Sequence, residues 1–532
     1  MFNKLSRLFK YIRLKSKNNK KSEEKKDITR IPRNVDRVED MLEDVFTDCS
    51  DFNIRKVELG QEPELKVIVA FLDGMIDKEL INRDILNPLM IQSEKKDDDK
   101  ELIKGDIISR IQENIITVNA VKEVDDFNKA VDFILGGDTL LFIEGEKVAL
   151  KASTKGWEQR GVERPDTEVV VRGPREGFTE NLRTNTTLLR RKIKNPKLKF
   201  KSLTLGTQTN TNVCVCYIEG LVHEDVLATL ERRLKKIRID SVLESGYIEE
   251  FIEDAPYSIF PTVANSEKPD FVAGKVLEGR AAVLCDGTPF VLTVPNLFLE
   301  NITSGEDYYA RFQFATLTRI LRLIALLVTI TLPAVYVAMV SFHQDIIPFK
   351  LLLTISASRE GIPFSAFTEV MLMGVTYELL REAGVRLPRP IGQAVSIVGG
   401  LVLGQAAVDA GIASNPVIMI TALTAITSFI LPSLRGTIPF IRIIIIFAAT
   451  ILGFLGMNIV IVLIFAHMCT LRSFGVPYLA PFSPLTGMDL KDTFVRVPLW
   501  LMWLRPRSLF GDKEDFKRYG YRMKKDIKTK ED

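Results

Sequence analysis

Apolar positions fall into two regimes along the chain. Between about residues 38 and 300, short β-rich runs alternate with segments of helical period, the signature of an α/β domain. The spacing predicts strands at Leu65–Leu72, Ile115–Val121, Thr139–Ile143 and Lys147–Ala152, with helices over Lys78–Met90 and Asp125–Leu135. Lys155–Pro165 carries Gly156, Gly161 and Pro165, breaks both periods, and is read as a boundary between two lobes. Beyond it the pattern predicts strands Glu168–Arg172, Lys199–Leu205 and Asn212–Ile218, and helices Thr179–Lys192 and Glu224–Lys236.

The second regime is long and apolar. No residue from Leu323 to Gln344 is charged, Asp409 is the only charge between Ile391 and Leu434, and Ile443–Leu471 has none. About 20 apolar residues suffice to cross a hydrocarbon core. The fold class is therefore a soluble two-lobed α/β amino-terminal domain followed by an α-helical polytopic membrane domain. Expected boundaries are a basic amphipathic or disordered tail over 1–37, lobes over 38–155 and 156–300, the helical membrane domain over 301–471, and a basic carboxyl-terminal tail over 472–532. Spans are expected at about 320–344, 391–410, 415–434 and 442–471. Ile443–Leu471 would measure about 43 Å as a helix, so it should tilt, kink near Gly453 or Gly456, or project from the bilayer.

The stretch 346–385 mixes apolar residues with Arg359, Glu360, Glu369 and Glu378, which suits interfacial or re-entrant helices whose carboxylates face protein or water. Topology stays open. Arg311, Arg319 and Arg322 before the first span favour an internal amino-terminal domain, and the basic tail favours an even number of crossings. Four crossings leave Arg381, Arg386 and Arg389 outside, whereas a fifth over Phe364–Leu380 puts the tail outside.

Composition adds exclusions. The 532 residues average 46% hydrophobic and 26% charged, figures that conceal the apolar half. A net charge of +3 offers no bulk attraction for nucleic acid. Residues 1–26 hold ten Lys/Arg, with Phe2, Leu5, Phe9 and Ile12 at helical spacing, which suits either anionic membrane lipids or a solvated tail. No apolar run follows them as a secretory signal requires. Five cysteines without CxxC spacing support neither a disulfide framework nor zinc, and Cys214 and Cys216 share one strand face as core residues. Walker A, GxGxxG, HExxH and GxSxG motifs are absent. Neither an enzyme nor a cofactor or metal is expected.

Candidate chemistry concentrates in the 391–410 segment. At about 100° per residue, Val398, Val402, Gln405 and Asp409 form one stripe, and Gly400, Gly404 and Ala407 lie opposite it. The small face permits close helix contact. If several subunits set the stripe around an axis, the valines form a dewetting neck and Asp409 a negative ring, as in a gated cation path. Alternatively, Gln405 and Asp409 hydrogen-bond within one subunit, or Asp409 lies at the membrane interface. Arg172, Arg175 and Glu176 flank the Gly173-Pro174 turn as soluble-domain ligand candidates, or as members of a salt-bridge network.

Several ordered motifs carry a resemblance. Ser358-Arg359-Glu360-Gly361-Ile362-Pro363-Phe364, Glu378 through Pro388 with Gly392-Gln393, and Gly404-Gln405-Ala406-Ala407 resemble the A subunits of GerA-type spore germinant receptors. So do Pro174-Arg175-Glu176-Gly177-Phe178 with Asn185, Asp286-Gly287-Thr288-Pro289-Phe290, and Ser473 through Pro481. Together they span about residues 40–510. One departure is Ser365 where the family has proline, which removes a backbone constraint; Glu369 is retained.

The resemblance implies a multi-pass protein of the spore inner membrane with its amino-terminal domain on the core side. It implies a transporter-like B subunit and a lipoprotein C subunit as partners. It also implies a homo-oligomeric ring, a pentamer, acting as a nutrient-gated cation channel that triggers germination. Pro363, Glu369, Glu378 and Arg381 are the motif residues it marks in the membrane half. A SpoVAF-type companion channel, a secondary transporter and a structural scaffold are the alternatives.

Overall fold

The computed structural model describes residues 30–59, 65–94, 108, 111, 118, 121–156, 172–387, 399–485, 489–502 and 505–506. Contacts divide the chain into two compact units: one runs to Val162 and includes Arg183–Ser202, and the other comprises Glu163–Leu182 and everything from Leu203. The expected strand Glu168–Arg172 and most of Ile115–Val121 lie outside the described residues.

In the first unit, α1 (Val35–Val45) precedes β1 (Phe52–Leu59) and β2 (Leu65–Leu72). A helical stretch from Lys78 to Glu94 follows, with a π turn over Asn82–Leu86. Then come β3 (Val121–Val124), α2 (Phe127–Leu135), β4 (Thr139–Ile143) and β5 (Ala149–Ala152). The sheet order is β1-β2-β4-β5-β3, with every neighbour antiparallel. β2 from Val67 and β4 from Leu140 are unbroken apolar runs because both faces are covered. Ile68, Ala70, Leu140 and Phe142 pack with Val38 and Leu42 of α1 and Ile134 of α2. Val67, Val69, Leu141 and Ile143 face Ile85 and Leu89 on the other side.

The lobe boundary expected at Lys155–Pro165 is crossed again further on. Helix α3 (Leu182–Lys192) starts in the second unit, but from Arg183 it packs with the first. Arg190, fully buried, makes a bidentate pair with Asp51 at 2.8 and 2.9 Å and donates to the Leu198 carbonyl at 2.9 Å. A buried guanidinium needs such partners, and Asp51 supplies them from 139 residues away.

The second unit holds the sheet β6-β7-β9-β10-β8, of β6 (Leu198–Leu205), β7 (Thr211–Ile218), β8 (Ala264–Ser266), β9 (Ala281–Cys285) and β10 (Val291–Val294). The unit boundary falls within β6. Helices α4 (Glu224–Lys236), α5 (Ser245–Ile252) and α6 (Pro269–Leu277) accompany it. Val213 and Val215 pack with Leu230, Ile248 and Val283, while Cys214 and Cys216 are buried on the opposite face of β7.

The helical half comprises α7 (Phe312–Ser341), α8 (Phe349–Arg359), α9 (Ala366–Arg386), a π turn over Gly399–Leu403, α10 (Gly404–Asp409), α11 (Asn415–Ser428) and α12 (Ile438–Thr470). Among the described residues, α7 and α12 are long and apolar enough to cross a membrane, while α11 is apolar but shorter. This is the helical membrane domain.

Two helices have bounds other than those of the expected spans. α7 begins at Phe312 rather than near 320, so Arg319 and Arg322 lie within it and pair with Asp307 at 2.9 Å instead of flanking it. α11 stops at Ser428 rather than 434, since Pro432 pushes Leu431 out of helical geometry (φ −124°). α12 breaks at Gly453 (φ +61°, ψ −139°), where an added Cβ would lie 2.7 Å from His343 Cε1. This is one of the two glycines expected to kink it.

The segment after α12 is an ordered hairpin where a tail was expected. Arg472–Ser473 pairs with Val476–Pro477 around Phe474 and Gly475, both at positive φ. Phe474 enters the core beneath α4, with the Arg233 guanidinium 4.7 Å above its ring. Ser473 Oγ donates to the Thr262 carbonyl at 2.6 Å and accepts from Asn296 N–H at 3.0 Å. These bonds stitch the end of α12 to the sheet-bearing lobe.

Candidate functional site

Segment 399–411 is built in two steps. The π turn passes into α10, and Gly411 at φ +64° ends it, with Gly411 N–H donating to Val408 O at 2.9 Å and Ile412 N–H to Ala407 O at 2.8 Å. Glycine suits this left-handed terminus because it has no Cβ to clash.

Val402 is 54% exposed in the single chain, and Gln405 and Asp409 are exposed beside it. Gln405 Nε2 donates to Asp409 Oδ1 at 2.9 Å, one turn on, which holds the amide and carboxylate as a unit. On the other side Gly404 is buried, a Cβ there would approach Ile418 at 3.7 Å, and Ala407 packs against the helical core.

A Cβ at Gly400 would meet nothing among the described residues. The π turn turns less per residue than an α-helix, so a register counted at the α-helical angle slips across Gly399–Leu403. Val398 lies outside the described residues.

Two carboxylates fix the surroundings of this segment. Glu369, fully buried at the start of α9, accepts from Ser414 N–H at 3.0 Å, Ser414 Oγ at 2.8 Å and Arg359 Nε at 3.1 Å. It thereby ties the turn between α10 and α11 to the end of α8. Ser365 caps α9, its Oγ accepting from Thr368 N–H at 3.3 Å. Its φ of −67° is a value that proline would also allow.

Glu378 bridges Arg381 at 2.5 Å and Arg442 of α12 at 2.7 Å. These three residues line a cavity of about 380 Å³ whose other walls include Pro333, Val370 and Ile446. Buried charges in an apolar half are tolerable when paired in this way.

Sequence reasoning found Glu369, Glu378 and Arg381 but not Ser414 or Arg442, their partners 45 and 64 residues distant. It also missed the Asp307–Arg319–Asp492 cluster, where Arg319, almost wholly buried, contacts Asp307 and Asp492 at 2.9 Å each. The only local signal was a pair of arginines three apart at the head of an apolar helix. In the soluble lobe, Arg172 and Arg175 are exposed and Glu176 is half-buried. Gly173 (φ +142°) lies so close to Tyr309 that a Cβ would meet the ring at 2.8 Å, and Arg172 N–H donates to Glu306 Oε1 at 3.2 Å.

The profile of the family described as "Bacillus/Clostridium GerA spore germination protein" matches residues 40–508. Spore germination protein KA of Bacillus subtilis (strain 168) is 45% identical over 88% of this chain and 85% of its own length. Spore germination protein GerLA of Bacillus cereus is 37% identical over 88% of this chain and 94% of its own. Among solved structures, the N-terminal domain of the A subunit of the Bacillus megaterium spore germinant receptor GerK3 is 33% identical, covering 51% of this chain and 99% of that one with a TM-score of 0.41.

Proposed function

Because the chain belongs to the GerA family of spore germination proteins, we propose that it is the A subunit of a nutrient germinant receptor in the spore inner membrane. Copies of it ring an axis, a pentamer by the resemblance, and conduct monovalent cations when a transporter-like B subunit binds nutrient; a lipoprotein C subunit completes the receptor. The α/β domain lies on the core side.

The observation that carries the channel reading is the two-sided segment 399–409. Its small side packs inward at Gly404 and Ala407, while Val402, Gln405 and Asp409 stay exposed in the single chain. An exposed amide–carboxylate pair in an apolar half is costly against lipid and favourable against water. A shared aqueous axis supplies that water. Val402 is then the neck, and Asp409 the ring that attracts cations.

Gating is a population shift: nutrient on the partner favours the arrangement in which the neck is wider. The Glu369–Ser414 anchor transmits the position of α9 to the turn after Asp409.

The test is cation efflux from dormant spores, with conductance after reconstitution. Val402→Ala should raise the leak without nutrient, and Asp409→Asn should lower cation-over-anion preference. Both variants behaving as native, at native abundance in the membrane, would remove the stripe from the conduction path.

A further inference from the structure

A second cavity, of about 690 Å³, lies where the sheet-bearing lobe meets the helical half within the second unit. Lys268 and Lys275 come from the start and end of α6, Arg322 from α7, Asn301 from the turn after β10, and Arg435 from the turn before α12. Four cations and two amides, Asn265 and Asn301, thus line one space. Two of the cations are committed: Lys275 to Glu300 at 3.0 Å and Arg322 to Asp307 at 2.9 Å.

The other two are not committed in the same way. Lys268 is buried, its Nζ has no hydrogen-bond partner, and the nearest paired carboxylate oxygen, Asp270 Oδ2, is 3.8 Å away. Burying an ammonium with its donors unused is costly, so a site that retains one calls for an acceptor. Asn301, by contrast, is engaged, its side chain hydrogen-bonding the buried Tyr478 hydroxyl. Arg435 is exposed at the rim, and among the described residues its guanidinium makes no hydrogen bond or ion pair.

Part of the rim is apolar. Val385, Phe429 and Ile430 line the mouth and are themselves exposed. Unused cationic donors, with an apolar lip on the membrane half, match a phosphate group carrying acyl chains. Glu249 is the counter-argument, since its carboxylate also lines the space. Burial, and then the nearby Glu253 charge, push its pKa up to about 7, so it is partly neutral near neutral pH and opposes an anion less than its formal charge suggests.

We propose that this cavity binds a phosphate group through Lys268 and Arg435, the headgroup of an anionic phospholipid and free phosphate being the two sources of that chemistry. The site is separate from the Val402 stripe and does not depend on conduction.

The test uses the full chain purified in detergent and exchanged into vesicles or nanodiscs of phosphatidylglycerol or phosphatidylcholine, with retained lipid measured by native mass spectrometry and inorganic phosphate titrated as a competitor. Native protein should retain phosphatidylglycerol over phosphatidylcholine, and Lys268→Met or Arg435→Gln should each reduce retention about tenfold, the loss of one charge-assisted contact. Arg386→Gln, which removes an exposed arginine at the end of α9 already paired with Glu382, should not.

Retention that phosphate does not displace identifies the lipid as the source. Phosphate binding lost in both cavity variants, without a lipid preference, identifies free phosphate. Binding of neither probe, or equal losses in all three variants, would overturn the proposal. Arg435→Gln keeps the test informative should Lys268→Met disturb folding, because Arg435 is exposed.

Discussion

Glu369 offers the sharpest separation between a carboxylate that acts as a hydrogen-bond acceptor and one that acts as a charge. Truncation to alanine strips the buried Ser414 N–H of its acceptor, for which about 1–3 kcal/mol is typical. It also removes the acceptor for Ser414 Oγ, worth about 1 kcal/mol. The Arg359 pair adds no more than about 1 kcal/mol, because that side chain is 24% exposed and screened. Glu369→Ala should therefore destabilise the helical half by about 3–5 kcal/mol once the cavity left behind is included.

Glu369→Gln keeps a carbonyl oxygen facing Ser414 but turns its amide NH2 toward Arg359 Nε–H, forfeiting that hydrogen bond altogether, so its cost should be about 1–2 kcal/mol, below that of alanine. Thermal unfolding of the full chain in detergent ranks the two variants. Hydrogen exchange at the Ser414 amide adds a local readout, which should lose protection in the alanine variant and keep it in the glutamine variant. Glutamine proving as damaging as alanine would refute the reasoning, since charge and not acceptor geometry would then hold the turn. So would an alanine variant with native stability and a protected Ser414 amide.

Two further outcomes follow from particular residues. Gly453→Ala puts a side chain at φ +61°, ψ −139° and against His343, so backbone strain of about 1–3 kcal/mol adds to overpacking of similar size; His343→Ala in the same chain should relieve only the second part, and full recovery of the melting temperature would refute the strain. Glu249 holds its proton more tightly folded, near pH 7, than at its ordinary 4.5, because of burial and then Glu253. The native state therefore binds the extra proton between these values, and stability falls as pH rises through that window. Glu249→Gln should flatten this part of a stability–pH curve measured by thermal unfolding, leaving pH 4 little changed; an unaltered slope would assign it to other groups.

Several local features follow directly from residue order. Leu65–Leu72, Thr139–Ile143 and Glu224–Lys236 appear at the bounds their periodicity predicts, because each pattern matches the faces its element buries. Gly411 terminates α10, and Gly453 interrupts α12, because only glycine accepts those backbone angles cheaply. The Asp286–Phe290 motif carries a resemblance in the sequence, and the structure shows a turn there and its use: Asp286 Oδ1 accepts from Leu182 N–H at 3.0 Å and Gly287 N–H donates to Glu180 O at 2.8 Å.

Pairings across long stretches of chain were decided only by tertiary structure. Arg190 finds Asp51, Glu369 finds Ser414, Glu378 finds Arg442, and Phe474 finds the core under α4, each across 45 residues or more. A residue's own neighbours determine its helix or strand preference and its cap. Where a buried charge obtains its counterion depends on which distant segments share one interior, and hydrophobic burial selects that arrangement without regard to sequence separation.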